Sequence, residues 1–159
     1  DSPGALQAFT VDGAELTPKG KPVSSVGRHP CYVALDVTGK WVFSANYTEG
    51  SVSVCPVLPD GSLGAPTDSK KHQGGELIDA ALHDRQEGAH CHAIVPHPSN
   101  AWVAVADLGL STVFIYGFDV ARGTLSGAAD DPRHLRCDAG AGCRDCSDHK
   151  GAQRLLDGR

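Results

Sequence analysis

Arg85-Gln86-Glu87-Gly88-Ala89-His90-Cys91-His92 places a guanidinium, a carboxylate and two imidazoles in one short stretch. These groups exchange protons near neutral pH and hold anions. An apolar run, Ala93-Ile94-Val95, follows at once. Pro98-Ser99-Asn100 then reads as a turn, Trp102 to Ala106 as a second strand, and Asp107-Leu108-Gly109 as its polar end. The pattern predicts reactive groups on a loop, aimed by a rigid strand that begins directly after them.

The elements that must position this loop are legible because the chain repeats itself. Cys31-Tyr-Val-Ala-Leu-Asp, a Thr-Gly-Lys turn, Trp41 to Tyr47 and Ser51-Val-Ser-Val54 align with Cys91 to Ile115. Cys31 matches Cys91, Trp41 matches Trp102, Ala45-Asn46 matches Ala106-Asp107, and Val52 matches Val113, with one extra residue in the first turn as the gap. Leu6 to Leu16 reads as the ending of an earlier unit, and Pro132-Arg133-His134-Leu135 as the start of another. Four short antiparallel strands in units of about 45 residues are the mark of propeller blades. The expected fold class is all-β, a β-propeller with about three blades. The expected domain is 1–135, with units at about 4–26, 27–75 and 89–129 and a further one starting at 132. Residues 67–88 read as an insertion in which Glu76 to Leu82 has weak helical character. Residues 136–159 read as an irregular or disordered tail, expected from a shifted reading frame or altered splicing because no strand period survives there.

Composition agrees. In 159 residues there are 19 glycines and 10 prolines, which favours tight turns over long helices, and 40% hydrophobic residues, enough for a core. The formal net charge of −5 argues against nucleic acid as a partner. No apolar run reaches membrane-spanning length. Cys31, Cys55 and Cys91 are expected as small buried residues in a reducing compartment, which points to a cytoplasmic protein. Cys143-x-x-Cys146-x-x-His149 has zinc-like spacing but lacks a second ligand pair and apolar surroundings, so no metal and no cofactor are expected.

In a four-stranded blade the first strand lines the central channel, and the loop leading into it shares a face with the turn leaving the second strand. Arg85 to His92 and Asp107 should therefore converge with Asn46-Tyr47 of the preceding blade on one rim, where a small anionic ligand binds. Each residue also has a structural reading. His90 or His92 can bridge neighbouring blades, Arg85 and Glu87 can pair on the surface, and Asn46 and Asp107 can cap turns. His29, His72, His83 and His97 have no supporting neighbours and read as structural or solvated, and Lys70-Lys71-His72 as a solvated loop.

Gly27-x-x-Pro30, Ala45-Asn46-Tyr47 with Gly50-Ser51-Val52-Ser53-Val54, the Arg85 to His92 stretch, and Ala106-Asp107-Leu108-Gly109 resemble the seven-bladed propeller lactonases, over roughly Gly4 to Leu135. That family includes propeller-type 6-phosphogluconolactonases and fungal carboxymuconate cyclases. Ala89 and Cys91 stand where the family usually has Pro and Ala, and the remaining blades have no counterpart after Leu135. The resemblance implies hydrolysis of a sugar-acid lactone, 6-phosphogluconolactone of the pentose phosphate route foremost, by water attack on the ester carbonyl. It implies His92 as base, His90 as orienting or polarising group, Glu87 as a group that orients a His or holds Arg85, and Arg85, Asn46 and Asp107 at the substrate. A non-enzymatic propeller scaffold and an inactive truncated product are the competing readings. The sequence leaves the oligomeric state open.

Overall fold

The computed structural model describes residues 3–74, 83–127 and 135–136. Among these described residues there are three antiparallel sheets. Blade A is a hairpin of β1 (Ala5–Asp12) and β2 (Glu15–Ser24). Blade B runs in chain order through β3 (Pro30–Leu35), β4 (Trp41–Asn46), β5 (Ser51–Pro56) and β6 (Asp68–Lys71). Blade C comprises β7 (Cys91–Pro96), β8 (Trp102–Asp107), β9 (Thr112–Asp119) and β10 (Thr124–Ser126), and β11 (Leu135–Arg136) also pairs with β9. A single helical turn, α1 (His83–Gln86), precedes β7. The all-β architecture of partial propeller blades is as the repeat predicts.

Three details differ from the sequence reading. Asp68–Lys71 is no insertion but the fourth strand of blade B, paired with Ser51–Val54. It escaped notice because an outermost strand faces water on its free edge, where lysines and short polar residues replace an apolar run. Leu135 and Arg136 pair with Val113 and Thr112 on the outer edge of β9, whereas the sequence places Leu135 in the first strand of a new unit. The alignment also needs no gap. Pro30 pairs with Asn46 and Tyr32 with Ala45, as Cys91 pairs with Asp107 and Ala93 with Ala106, with a register shift at the same place in both blades. The counterpart of Cys91 is therefore Pro30, that of His92 is Cys31, and that of His90 is His29. The expected helix over Glu76 to Leu82 and the tail beyond Arg136 lie outside the described residues.

The core lies between blades B and C. Phe43, Ala45, Val52 and Val54 of blade B meet Ile94, Val103, Val105, Phe114, Tyr116, Phe118 and Leu125 of blade C. β9 alternates buried and half-buried residues along its length, as a strand does when one face packs against a neighbouring sheet. Phe43 and Phe118 meet edge to face at 4.9 Å. Each such large side chain stabilises the fold by roughly 1.5–3 kcal/mol on burial. Cys55 and Cys91 are both buried, Cys91 as part of this core. Cys31, expected to be buried, is exposed, because β3 turns most of its side chains outward.

Candidate active site

The loop leading into β7 is held by a buried carboxylate. Asp107 closes β8 directly opposite Cys91, the first residue of β7. Its Oδ1 accepts hydrogen bonds from the backbone N–H of His90 at 2.8 Å and of Leu110 at 3.1 Å. Its Oδ2 lies 2.6 Å from His72 Nδ1. Burial pushes this carboxyl up, but the hydrogen bonds from His72 and from the two backbone amides outweigh it and hold the group below the usual carboxylate range. From the other side, buried Gln86 donates to Leu108 O at 3.1 Å and Ser111 Oγ at 2.6 Å, tying α1 to the β8–β9 turn.

This frame sets the His90 ring. The ring lies flat on Tyr47 of blade B, with centroids 4.4 Å apart and planes 10° from parallel. Nδ1 is 3.0 Å from the Tyr47 carbonyl and Nε2 is 3.0 Å from Glu87 Oε1. A carbonyl and a carboxylate only accept, so both contacts are hydrogen bonds when both ring nitrogens carry protons. In that state His90 donates, and it suits a polarising role better than that of a base.

His92, two residues on, is exposed and meets the same Tyr47 ring edge-on at 5.9 Å. It lines a cavity of about 390 Å³ together with Arg85, Ala106, Asp107, Leu108, Ser111, Thr112 and Val113. The equivalent place on blade B is filled, because Ala89 presses on Gly50 and His90 on Tyr47. A larger groove between β1 and β3 is lined by Leu6, Phe9, Tyr32, Val33 and Leu35, and carries no imidazole, carboxylate or cationic side chain.

Of the residues expected at the site, Arg85, Glu87 and His92 are exposed and His90 is almost covered. Asn46 is wholly enclosed and donates to Ser25 O at 2.9 Å and Ser51 Oγ at 3.1 Å, so it secures the connection between blades A and B. Asp107 is likewise enclosed at 2% exposure and supports the rim from beneath. The sequence reading missed His72. It stands just past β6, and only with that strand recognised does the inward alternation of Asp68, Lys70 and His72 become visible.

Comparison with known proteins agrees with this architecture. Residues 1–155 match the family described as lactonase, seven-bladed β-propeller. The chain is 32% identical over 142 residues to the 6-phosphogluconolactonase of Bacillus subtilis (strain 168), an alignment covering 85% of this chain and 39% of that protein. Among solved structures it superposes on a periplasmic gluconolactonase from Pseudomonas aeruginosa with a TM-score of 0.74 at 30% identity, covering 89% of this chain and 39% of that one. It superposes on a protein from Lactobacillus plantarum with a TM-score of 0.72 at 32% identity, covering 89% and 38%. The chain thus spans about two fifths of the length of these relatives. Carrying consecutive antiparallel sheets and matching the family's sequence pattern almost from end to end, the chain belongs to the seven-bladed β-propeller lactonases.

Proposed function

We propose that this chain carries part of the catalytic rim of a lactone hydrolase, with a sugar-acid lactone as substrate and 6-phosphogluconolactone, the lactone of the pentose phosphate route, as the preferred one. The observation that carries this reading is the pair of imidazoles arranged about one Tyr47 ring, one enclosed between the Tyr47 carbonyl and Glu87 and the other exposed. In the reaction the water oxygen bonds to the ester carbonyl carbon while exposed His92 takes its proton. The oxyanion that forms needs a donor. We assign that donor to His90, whose Nε2 lies 3.0 Å from Glu87 Oε1 beside the cavity. Collapse breaks the bond to the ring oxygen, and His92 returns the proton to the leaving alkoxide. Arg85, which lines the same cavity as His92, suits the phosphate or carboxylate of the substrate.

The test is acid release from δ-gluconolactone and 6-phosphogluconolactone above the spontaneous rate. Turnover is expected with the chain and is expected to fall on the order of 10²-fold or more in His92→Ala, the typical contribution of a general base. Equal rates in the two proteins reject the assignment of His92, and no rate above background rejects lactone hydrolysis by this chain.

A further inference from the structure

His72 follows β6, the outermost strand of blade B, yet its side chain is fully enclosed. Its ring lies against Phe114, with centroids 3.9 Å apart, and Tyr116, at 6.0 Å, both on β9. Nδ1 meets Asp107 Oδ2 at 2.6 Å, while the other carboxylate oxygen accepts from His90 N and Leu110 N. One buried carboxylate thus ties together the end of β6, the loop leading into β7, and the β8–β9 turn.

We propose that His72 is a positioning residue: by donating to Asp107 it fixes the loop that carries His90, so that the outer edge of blade B sets the geometry of the rim on blade C. The catalytic consequence rests on the lactonase reading, whereas the mechanical one does not. Cys91 Sγ completes the cluster, 3.3 Å from His72 Nδ1 and 3.5 Å from Asp107 Oδ2. Burial first, and then the charge of Asp107, push this thiol well above its ordinary range, so it stays protonated and adds a second weak donor to the carboxylate. Nitrogen, sulfur and oxygen donors within 4.8 Å of one another also suggest a cation site. The 2.6 Å contact is a hydrogen bond at the short limit of the charge-assisted kind, whereas N and O ligands of one tetrahedral zinc stand about 3.3 Å apart, given metal–ligand distances near 2 Å. The geometry is that of a proton-bridged pair.

Unsatisfied buried carboxylates are costly, so removing the His72 donor should loosen what Asp107 holds. Amide hydrogen exchange on the ¹⁵N-labelled chain reads this directly. In His72→Leu, protection at His90 and Leu110 is expected to fall on the order of tenfold or more while the amides of β5 keep theirs. His72→Asn, whose amide nitrogen stands where Nδ1 stood, is expected to retain protection. His72→Gln, which puts its amide at the Nε2 position, is expected to behave as Leu does and serves if the Leu variant does not fold. In the lactone assay kcat falls with KM unchanged in His72→Leu and recovers in His72→Asn. The proposal is overturned by unchanged protection at His90 and Leu110, by an equal loss throughout β5, or by the same loss in the Asn variant. A chain that hydrolyses no lactone refutes the functional reading, and the exchange data still decide the role of His72.

Discussion

Tyr47 of blade B and His90 of blade C lie face to face at 4.4 Å, and the Tyr47 carbonyl accepts a hydrogen bond from His90 Nδ1 at 3.0 Å. One residue therefore sets both the plane of the imidazole and the nitrogen that points away from the neighbouring blade. Tyr47→Ala keeps the carbonyl and loses the stack, which is worth about 0.5–1.5 kcal/mol beyond the area it buries. Urea unfolding should show a loss of that order plus the burial term, with lactone turnover reduced because His90 can swing. Tyr47→Phe keeps the ring and should match the parent in both measurements. A Phe variant as damaged as the Ala variant would show that the hydroxyl, not the stack, matters.

Acid should loosen the seam between blades B and C through Asp107. Its carboxyl is held below the ordinary value in the folded chain, so the folded state binds the proton less tightly than the unfolded one. The stability this provides is present above the unfolded value, about 3.9 for an aspartate, and is lost as pH falls from there through the folded value. Asp107→Asn should be less stable than the parent at pH 7, by about 3 kcal/mol if the variant leaves its partners unpaired. It should also lack this part of the acid dependence, so that the two chains converge in urea midpoint as pH is lowered. Parallel curves for parent and variant down to low pH would refute the assignment.

How far the sequence speaks follows from where each residue stands. Trp41 with Trp102 and Val52 with Val113 show the repeat because they hold the same register positions in the two sheets, where Trp41 and Val52 pack on the core and their chemistry cannot drift far without loss of packing. Asp68–Lys71 carries no such demand, so a genuine strand reads as loop. The coincidence of Cys31 and Cys91 suggests a one-residue gap, and only the paired register shifts show that the true counterparts are His92 and Pro30. The Arg85 to His92 stretch is visible as a concentration of rare groups. The part of His72 is not, because a contact between residues 35 positions apart leaves no local trace.

Gly123 should tolerate no side chain. Its backbone has φ +65°, and a Cβ there would fall 2.1 Å from Trp41 Cζ3, in the aromatic cluster joining the two blades. Gly39 has φ +69° with open space around its Cβ position. Gly39→Ala should cost about 1 kcal/mol, the penalty of the left-handed backbone alone. Gly123→Ala adds displacement of the indole, whose Nε1 donates to Val120 O at 2.9 Å, and should cost about 3 kcal/mol or more. Thermal melting of the two variants separates the backbone penalty from the steric one, and equal shifts would mean that Trp41 moves aside freely.

At the opposite end of the seam Asn100 performs two tasks. Its Nδ2 donates to Asp36 Oδ2 at 2.8 Å and its Oδ1 accepts from Val37 N at 3.2 Å, while its own backbone sits at φ 60°. Asn100→Ala should lose both hydrogen bonds and strain the backbone, for about 2–3 kcal/mol in all. Asn100→Gly loses the bonds but relaxes the backbone, and Gly39, its counterpart in blade B, shows that this turn accepts glycine. The Gly variant should therefore be the milder one, by about 1 kcal/mol in urea unfolding. Because the clamp lies at the far ends of β7 and β8 from Asp107, neither variant should selectively lower exchange protection at His90, and each should add to His72→Leu without coupling. A selective loss at His90 in Asn100→Gly would mean that the seam moves as one rigid piece, and His72 could not then be credited with local control of the rim.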